Sequence, residues 1–153
     1  MTKGLNRSLR AILFISFILI SNHTLSQTWE SVISSDKGVP YFIDPASIIK
    51  IGSETHFTQL SNYEDGFKYN GHIVYSIKTF RRANCQNKTY KSGALIGYSK
   101  IYAVGKIELV DFDLSKKWRN VVPTSIAAAF QERVCDFSPD TQRTDSLLDW
   151  PHD

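Results

Sequence analysis

Three kinds of group in this sequence have chemistry to offer: histidines, paired carboxylates, and a run of cations beside a cysteine. A serine-type hydrolase needs a nucleophile, a base and an orienting acid. Beyond residue 26 the histidines are His56, His72 and His152. His56 and His72 fall on neighbouring strand-like segments that can bring them together, but no GxSxG accompanies them, and they read as ordinary strand histidines. Asp111 with Asp113, and Glu64 with Asp65, are paired carboxylates that read as solvated acids. P-loop, dinucleotide, HExxH and calcium-loop patterns are all lacking, so the sequence predicts no enzyme, no cofactor and no metal site. Asn87-Lys88-Thr89 fits a glycosylation sequon, a pattern common by chance.

The cations are more suggestive. Lys78, Arg81, Arg82, Lys88 and Lys91 surround Cys85, interleaved with Tyr75, Phe80 and Tyr90. As a binding patch this would suit an acidic protein surface or a sulfated glycan; as a solvated strand end it needs no partner. Phe67 and Tyr69 lie between two turn signals, Asp65-Gly66 and Asn70-Gly71. Aromatics there either fold back on the core or anchor a partner. Nucleic acid is an unsuitable partner. The formal charge is +3, but Lys3, Arg7 and Arg10 supply it; taking them from the 18 bases leaves 15 against 15 acids in the remainder.

Residues 1–26 read as a secretory signal peptide. Lys3, Arg7 and Arg10 form the basic region, Ala11 to Ile20 the apolar core, and Thr24 and Ser26 the small residues before a cut at Gln27. An uncleaved anchor is the rival reading, but spanning a membrane takes ~20 apolar residues and this core is half that. Neither cysteine lies near the cut, so no lipid-bearing Cys is expected at a mature N-terminus, and no other run approaches spanning length. Cys85 and Cys135 are the only cysteines. In an oxidising compartment an even pair reads as one disulfide. Two free thiols or a metal pair are the alternatives, although ligand spacing for a metal is lacking.

The rest of the chain predicts the elements that must hold these groups. Short β-prone segments run from Trp29 to Ile33 and from Val39 to Asp44; Asp44-Pro45-Ala46-Ser47 looks like a single helical turn closed by Ile48 and Ile49. Thr55 to Tyr63, His72 to Arg82, Thr89 to Ser99, Ile101 to Val104 and Ile107 to Phe112 are extended in character. Along His72 to Arg82, Ile73, Tyr75 and Ile77 point one way and Val74, Ser76, Lys78 and Phe80 the other. Gly93 and Gly97 mark bulges or bends, and Gly105-Lys106 a hairpin turn. Thr124 can cap a helix carrying Ile126, Phe130 and Val134 on one face. The order predicts an α+β domain over 27–137, an antiparallel sheet with one C-terminal helix on one face, followed by a mobile polar tail at 138–153.

The residues in combination resemble the bacterial surface-adhesin protein E family. The matching parts are the Trp29 strand followed by Tyr41-Phe42-Ile43-Asp44-Pro45-Ala46-Ser47-Ile48, then Leu60-Ser61-Asn62-Tyr63, then Ser76-Ile77-Lys78 with Cys85 beyond. Trp118 and Val122-Pro123-Thr124-Ser125 follow, leading to Val134-Cys135. The resemblance implies a six-stranded antiparallel sheet, a C-terminal helix, a Cys85–Cys135 disulfide, and a cell-envelope protein that binds host extracellular proteins such as vitronectin, laminin and plasminogen. Two departures stand out: the family pattern often has Gly where this chain has Thr124, and a lipid-attachment Cys is lacking. The expectation is an exported, non-enzymatic domain working by protein contact through Lys78, Arg81, Arg82, Lys88, Lys91, Phe67 and Tyr69, with a homodimer through a sheet edge open to it. The alternative is a soluble periplasmic ligand-binding or inhibitor domain using the concave sheet face under the helix, lined by Tyr98 and Tyr102.

Overall fold

The computed structural model describes residues 27–112 and 117–137; the expected signal peptide, Asp113 and the tail with His152 lie outside these. Six antiparallel strands follow one another as a meander: β1 (Glu30–Ser34), β2 (Pro40–Ile51), β3 (Glu54–Tyr69), β4 (His72–Asn84), β5 (Thr89–Tyr98) and β6 (Ile107–Asp111). A two-residue strand, β7 (Arg119–Asn120), also pairs with β5. Helix α1 (Ile126–Cys135) closes the domain on one face. The expected α+β architecture is therefore present.

Two turn signals have different fates. Asn70-Gly71 makes the tight β3–β4 hairpin, with φ of 45° and 84°; two left-handed residues are what such a turn demands. Asp65-Gly66 does not turn the chain. It lies in a bulge, where residues 63–66 of β3 lie opposite Tyr75 alone. Gly93 and Ala94 bulge opposite Phe80 in the same manner. Gly97 sits where a Cβ would come within 2.6 Å of Val74 Cγ1, so the packed sheet leaves room only for hydrogen.

Three local expectations are corrected. Asp44-Pro45-Ala46-Ser47 is a bulge within β2, between the Asp44–Thr58 and Ile49–His56 pairs. Asp44 Oδ1 accepts from Ala46 N at 3.1 Å and Ser47 Oγ donates to the Asp44 carbonyl at 2.6 Å. These bonds also cap helices, but here Thr58 N donates to Ser47 Oγ at 2.8 Å, and β3 supplies the partners that keep the chain extended. Ile101–Ala103 is a 3-10 turn instead of a strand, with Tyr102 and Ala103 left-handed (φ 60° and 57°). Asn62 Oδ1 accepts from Tyr102 N at 2.9 Å, and Ser76 Oγ accepts from Ala103 N at 3.0 Å, which holds that turn. The helix cap is Ser125, whose Oγ accepts from Ala128 N at 3.2 Å. Thr124 precedes it in a left-handed conformation, φ 62°, one that glycine adopts without steric cost.

The core lies between α1 and the sheet. Ile43, Ile48, Phe57, Ala83, Phe130, Val134 and Phe137 are buried together, and the Phe57 and Phe130 rings stack at 5.8 Å. Cys85 and Cys135 form the disulfide, fastening the end of the helix beyond the end of β4. Closing a loop of that length is worth ~4 kcal/mol in the chain-entropy model. Arg133 Nη2 meets Glu30 Oε2 at 2.7 Å and ties the helix to β1. A second cluster, Val74, Ile77 and Leu95 with Tyr63, Tyr69 and Leu109, lies toward the β3–β4 hairpin. Ile73 and Tyr75, expected to share the surroundings of Ile77, are exposed, and Val74, expected on the other side, is fully buried in the cluster with Ile77.

Candidate functional site

Successive side chains of a strand point to opposite faces. In β4 this puts Ala83 and Arg81 toward the helix, and Arg82, Phe80, Lys78 and Ser76 away from it. The basic run is therefore divided. Lys78, Arg82 and Lys91 share the face away from the helix, where Arg82 and Lys91 are direct cross-strand partners. Lys88 occupies the β4–β5 turn, exposed and left-handed, with its carbonyl accepting from Val121 N at 2.9 Å. Arg81 alone goes to the helix side.

The face away from the helix is half covered. At one end the 3-10 turn seals it: Ser76 Oγ donates to the Lys100 carbonyl at 2.6 Å, and the Phe42 and Tyr102 rings meet at 5.4 Å. At the other end it is open. Phe80 is 41% exposed there, Ile49 55% and Trp118 37%. Each cation has a partner. Lys78 Nζ lies 5.9 Å from the Phe80 ring centre and 5.8 Å from that of Tyr98; Lys91 Nζ lies 4.6 Å from that of Trp118. Arg82 Nη1 lies 3.7 Å from Glu54 Oε2, which also meets His56 Nε2 at 3.2 Å. A shallow groove bordered by Ile49, His56, Phe80 and Arg82 runs along this end.

The helix side holds a cavity of about 320 Å³. Phe57, Ala83 and Phe130 give it apolar walls; Tyr41, Tyr90 and Arg81 bring polar groups. Tyr98 and Tyr102 do not line it, correcting the expectation. Tyr98 pairs with Ser76 and so faces the other side, and Tyr102 belongs to the 3-10 turn. Arg81 Nη1 donates to Ser92 Oγ, and its guanidinium carbon lies 5.7 Å from the Tyr90 ring centre. Its Nε is buried without a hydrogen-bond partner. Burial holds the Arg81 pKa below the usual arginine value, nearby Tyr90 and Tyr41 act the other way, and Arg119 adds to the lowering. Burial, with neighbouring Tyr63, raises the pKa of Tyr41.

Phe67 and Tyr69 are not at a loop tip. They end β3 beyond its bulge, where Phe67 stacks on Tyr63 at 4.8 Å and Tyr69 donates to Asp111 Oδ2 at 3.0 Å. Phe67 stays 40% exposed. His56 and His72 are not brought together. His56 pairs with Arg82 and His72 with Tyr69, at opposite ends of the β3–β4 ladder. Tyr90, expected among the cations, goes with Arg81 to the cavity; Tyr41 beside it and Trp118 under Lys91 carry no signal of such a role in the sequence. Continuing the Ile77 phase to residue 81 would have moved Arg81 to the apolar side.

Comparison with known proteins matches residues 29–136 to the family Surface-adhesin protein E. Three solved structures of Haemophilus influenzae protein E are similar in fold. The one from a non-typeable strain is 18% identical, with a TM-score of 0.54 over 84% of this chain and 91% of that one. Crystal form II is 20% identical, with a TM-score of 0.53 over 67% and 85%. A third is also 20% identical, with a TM-score of 0.52 over 74% and 90%. No curated protein sequence matches this chain.

Proposed function

Because the chain belongs to the surface-adhesin protein E family, we propose that it is an exported, non-enzymatic protein-binding domain of the bacterial cell envelope, an adhesin for host extracellular proteins of the vitronectin, laminin and plasminogen class. Residues 1–26 direct export and are removed before Gln27. The observation that carries the contact surface is the open half of the sheet face, where Lys78, Arg82 and Lys91 stand among exposed Phe80, Ile49 and Trp118. Like charges directly opposite on a sheet cost stability. Arg82 opposite Lys91 is such a pair, and an acidic partner surface would relieve it. Lys88 borders this surface from its turn, and Phe67 with Tyr69 offers a second contact near the hairpin. A second copy can add at the β6 edge, where Ile107 and Val110 are exposed.

Protease treatment of intact and broken cells, read with an antibody to the domain, tests display. Cleavage on intact cells is expected; protection until the outer membrane is opened removes the adhesive role. Reversing both charges in an Arg82→Glu, Lys91→Glu variant should abolish capture of the purified domain by immobilised vitronectin, laminin or plasminogen. Undiminished capture would move the contact elsewhere.

A further inference from the structure

We propose that the cavity between α1 and the sheet binds a small amphiphilic carboxylate, one carboxylate group on an apolar or aromatic body. This inference takes up the helix side of the sheet and is independent of the adhesive reading, which uses the opposite face.

The starting point is Arg81. A guanidinium removed from water is normally paired with a carboxylate, because an uncompensated buried charge is costly. Among the described residues no carboxylate pairs with Arg81. Its one hydrogen bond runs from Nη1 to Ser92 Oγ, while Nε is buried and unpartnered. Nε lies on the edge of the planar fork that makes two-pronged contacts with carboxylates. Nε itself is closed to solvent, so a ligand meets the terminal nitrogens of the fork, and the cavity that Arg81 borders has no acid of its own to pair with them.

The surroundings favour an anion. Arg119 lies close enough to depress the Arg81 pKa, so two cations share this region. The first turn of α1, Ser125 to Ala127, borders the cavity and contains no acid. The first backbone N–H groups of a helix have no intrahelical partner and carry partial positive charge. The Ser125 cap uses the Ala128 N–H. The helix end only reinforces the assignment, which rests on an Arg81 guanidinium that borders the cavity and that no carboxylate pairs among the described residues.

The walls define the rest of the ligand. Phe57, Ala83, Ile126 and Phe130 leave an apolar lining that an inorganic anion would not use. At ~30 Å³ per non-hydrogen atom, taking water's share of liquid volume as the measure, 320 Å³ holds on the order of ten such atoms. Octanoate and 3-phenylpropionate are carboxylates of that size. The cavity is at the small end of the range for ligand pockets.

The test is calorimetric titration and thermal melting of the oxidised mature chain with octanoate, 3-phenylpropionate, 1-octanol and sulfate. At least one carboxylate should bind and raise the melting temperature. 1-Octanol should bind about tenfold more weakly, since it forfeits the charge-assisted hydrogen bonds, and sulfate should give no shift. Arg81→Met should erase the preference for carboxylate over alcohol without lowering the melting temperature of the free protein, an outcome that a purely structural arginine would not give. Arg82→Gln, on the other face, should bind as the parent does. Ala127→Leu fills the cavity without touching Arg81 and should block both probes, which covers the case of an Arg81 variant that fails to fold. Binding of neither carboxylate, equal affinity for the alcohol, or carboxylate preference surviving Arg81→Met would each overturn the proposal.

Discussion

Arg81 and Arg82 are the same residue type one position apart, and the sheet sends them to opposite surroundings. Arg81 points to the helix side, among Tyr41, Tyr90 and the apolar wall, with no carboxylate paired to it among the described residues. Arg82 points to the open side, half exposed, within reach of Glu54 and opposite Lys91. The side of Arg81 carries the helix, the stacked phenylalanines and the disulfide. The side of Arg82 carries exposed rings and cations that hold one another. A basic cluster in sequence is thus two environments in space: one guanidinium is largely removed from water, the other stays half exposed beside a carboxylate.

Substitutions on the two sides should differ accordingly. Phe130→Ala, in the helix-side core, should cost ~3–5 kcal/mol in urea unfolding. Phe80→Ala, on the open side, should cost below ~1 kcal/mol; comparable losses would mean that the open side is a core after all. Cys85→Ala should lower stability by ~2–4 kcal/mol under oxidising conditions, with no loss of capture by the open face. Thr124→Gly relieves a left-handed β-branched residue, a cost of ~1–2 kcal/mol, and gives back ~0.4–1 kcal/mol in unfolded-chain entropy. A net gain of about 0.5–1 kcal/mol in the same unfolding experiment is expected, confined to the helix side. The smallest effect concerns Tyr41, whose folded pKa is raised above 10.0. As pH climbs past about 10, the unfolded chain gives up this proton before the folded one, so the associated stability is whole below that pH and is lost above it. The melting temperature of the parent should then fall faster than that of Tyr41→Phe, by roughly a degree or two; parallel decline would remove Tyr41 from the buried side.

Much of this fold is legible in the residues. Alternation marks β4, Asn-Gly marks its hairpin, and the Ile126, Phe130 and Val134 spacing marks the helix. Illegible features arise where one chemical signal serves two structures. Asp44-Pro45-Ser47 would cap a helix, but β3 lies beside it and turns the same bonds into a bulge. Ser125 and Thr124 both carry a hydroxyl for capping, and only backbone handedness separates them. The cavity was harder still. Its lining comes from five strands and the helix, and proximity in sequence grouped Arg81 with Arg82 instead.

The bridge between Cys85 and Cys135 has a mechanical consequence. It spans 50 residues and encloses β5, β6, β7 and nearly all of α1. When the chain is pulled through its two ends, tension can straighten only the segments outside that loop. Reduction should release an extra contour length of roughly 170 Å, at ~3.4 Å per residue, in single-molecule stretching; identical extensions before and after reduction would mean that the loop bears no load. In the oxidised state the C-terminal half acts as a knot of fixed length, and the β1–β4 portion is the part that can yield and dissipate a pull.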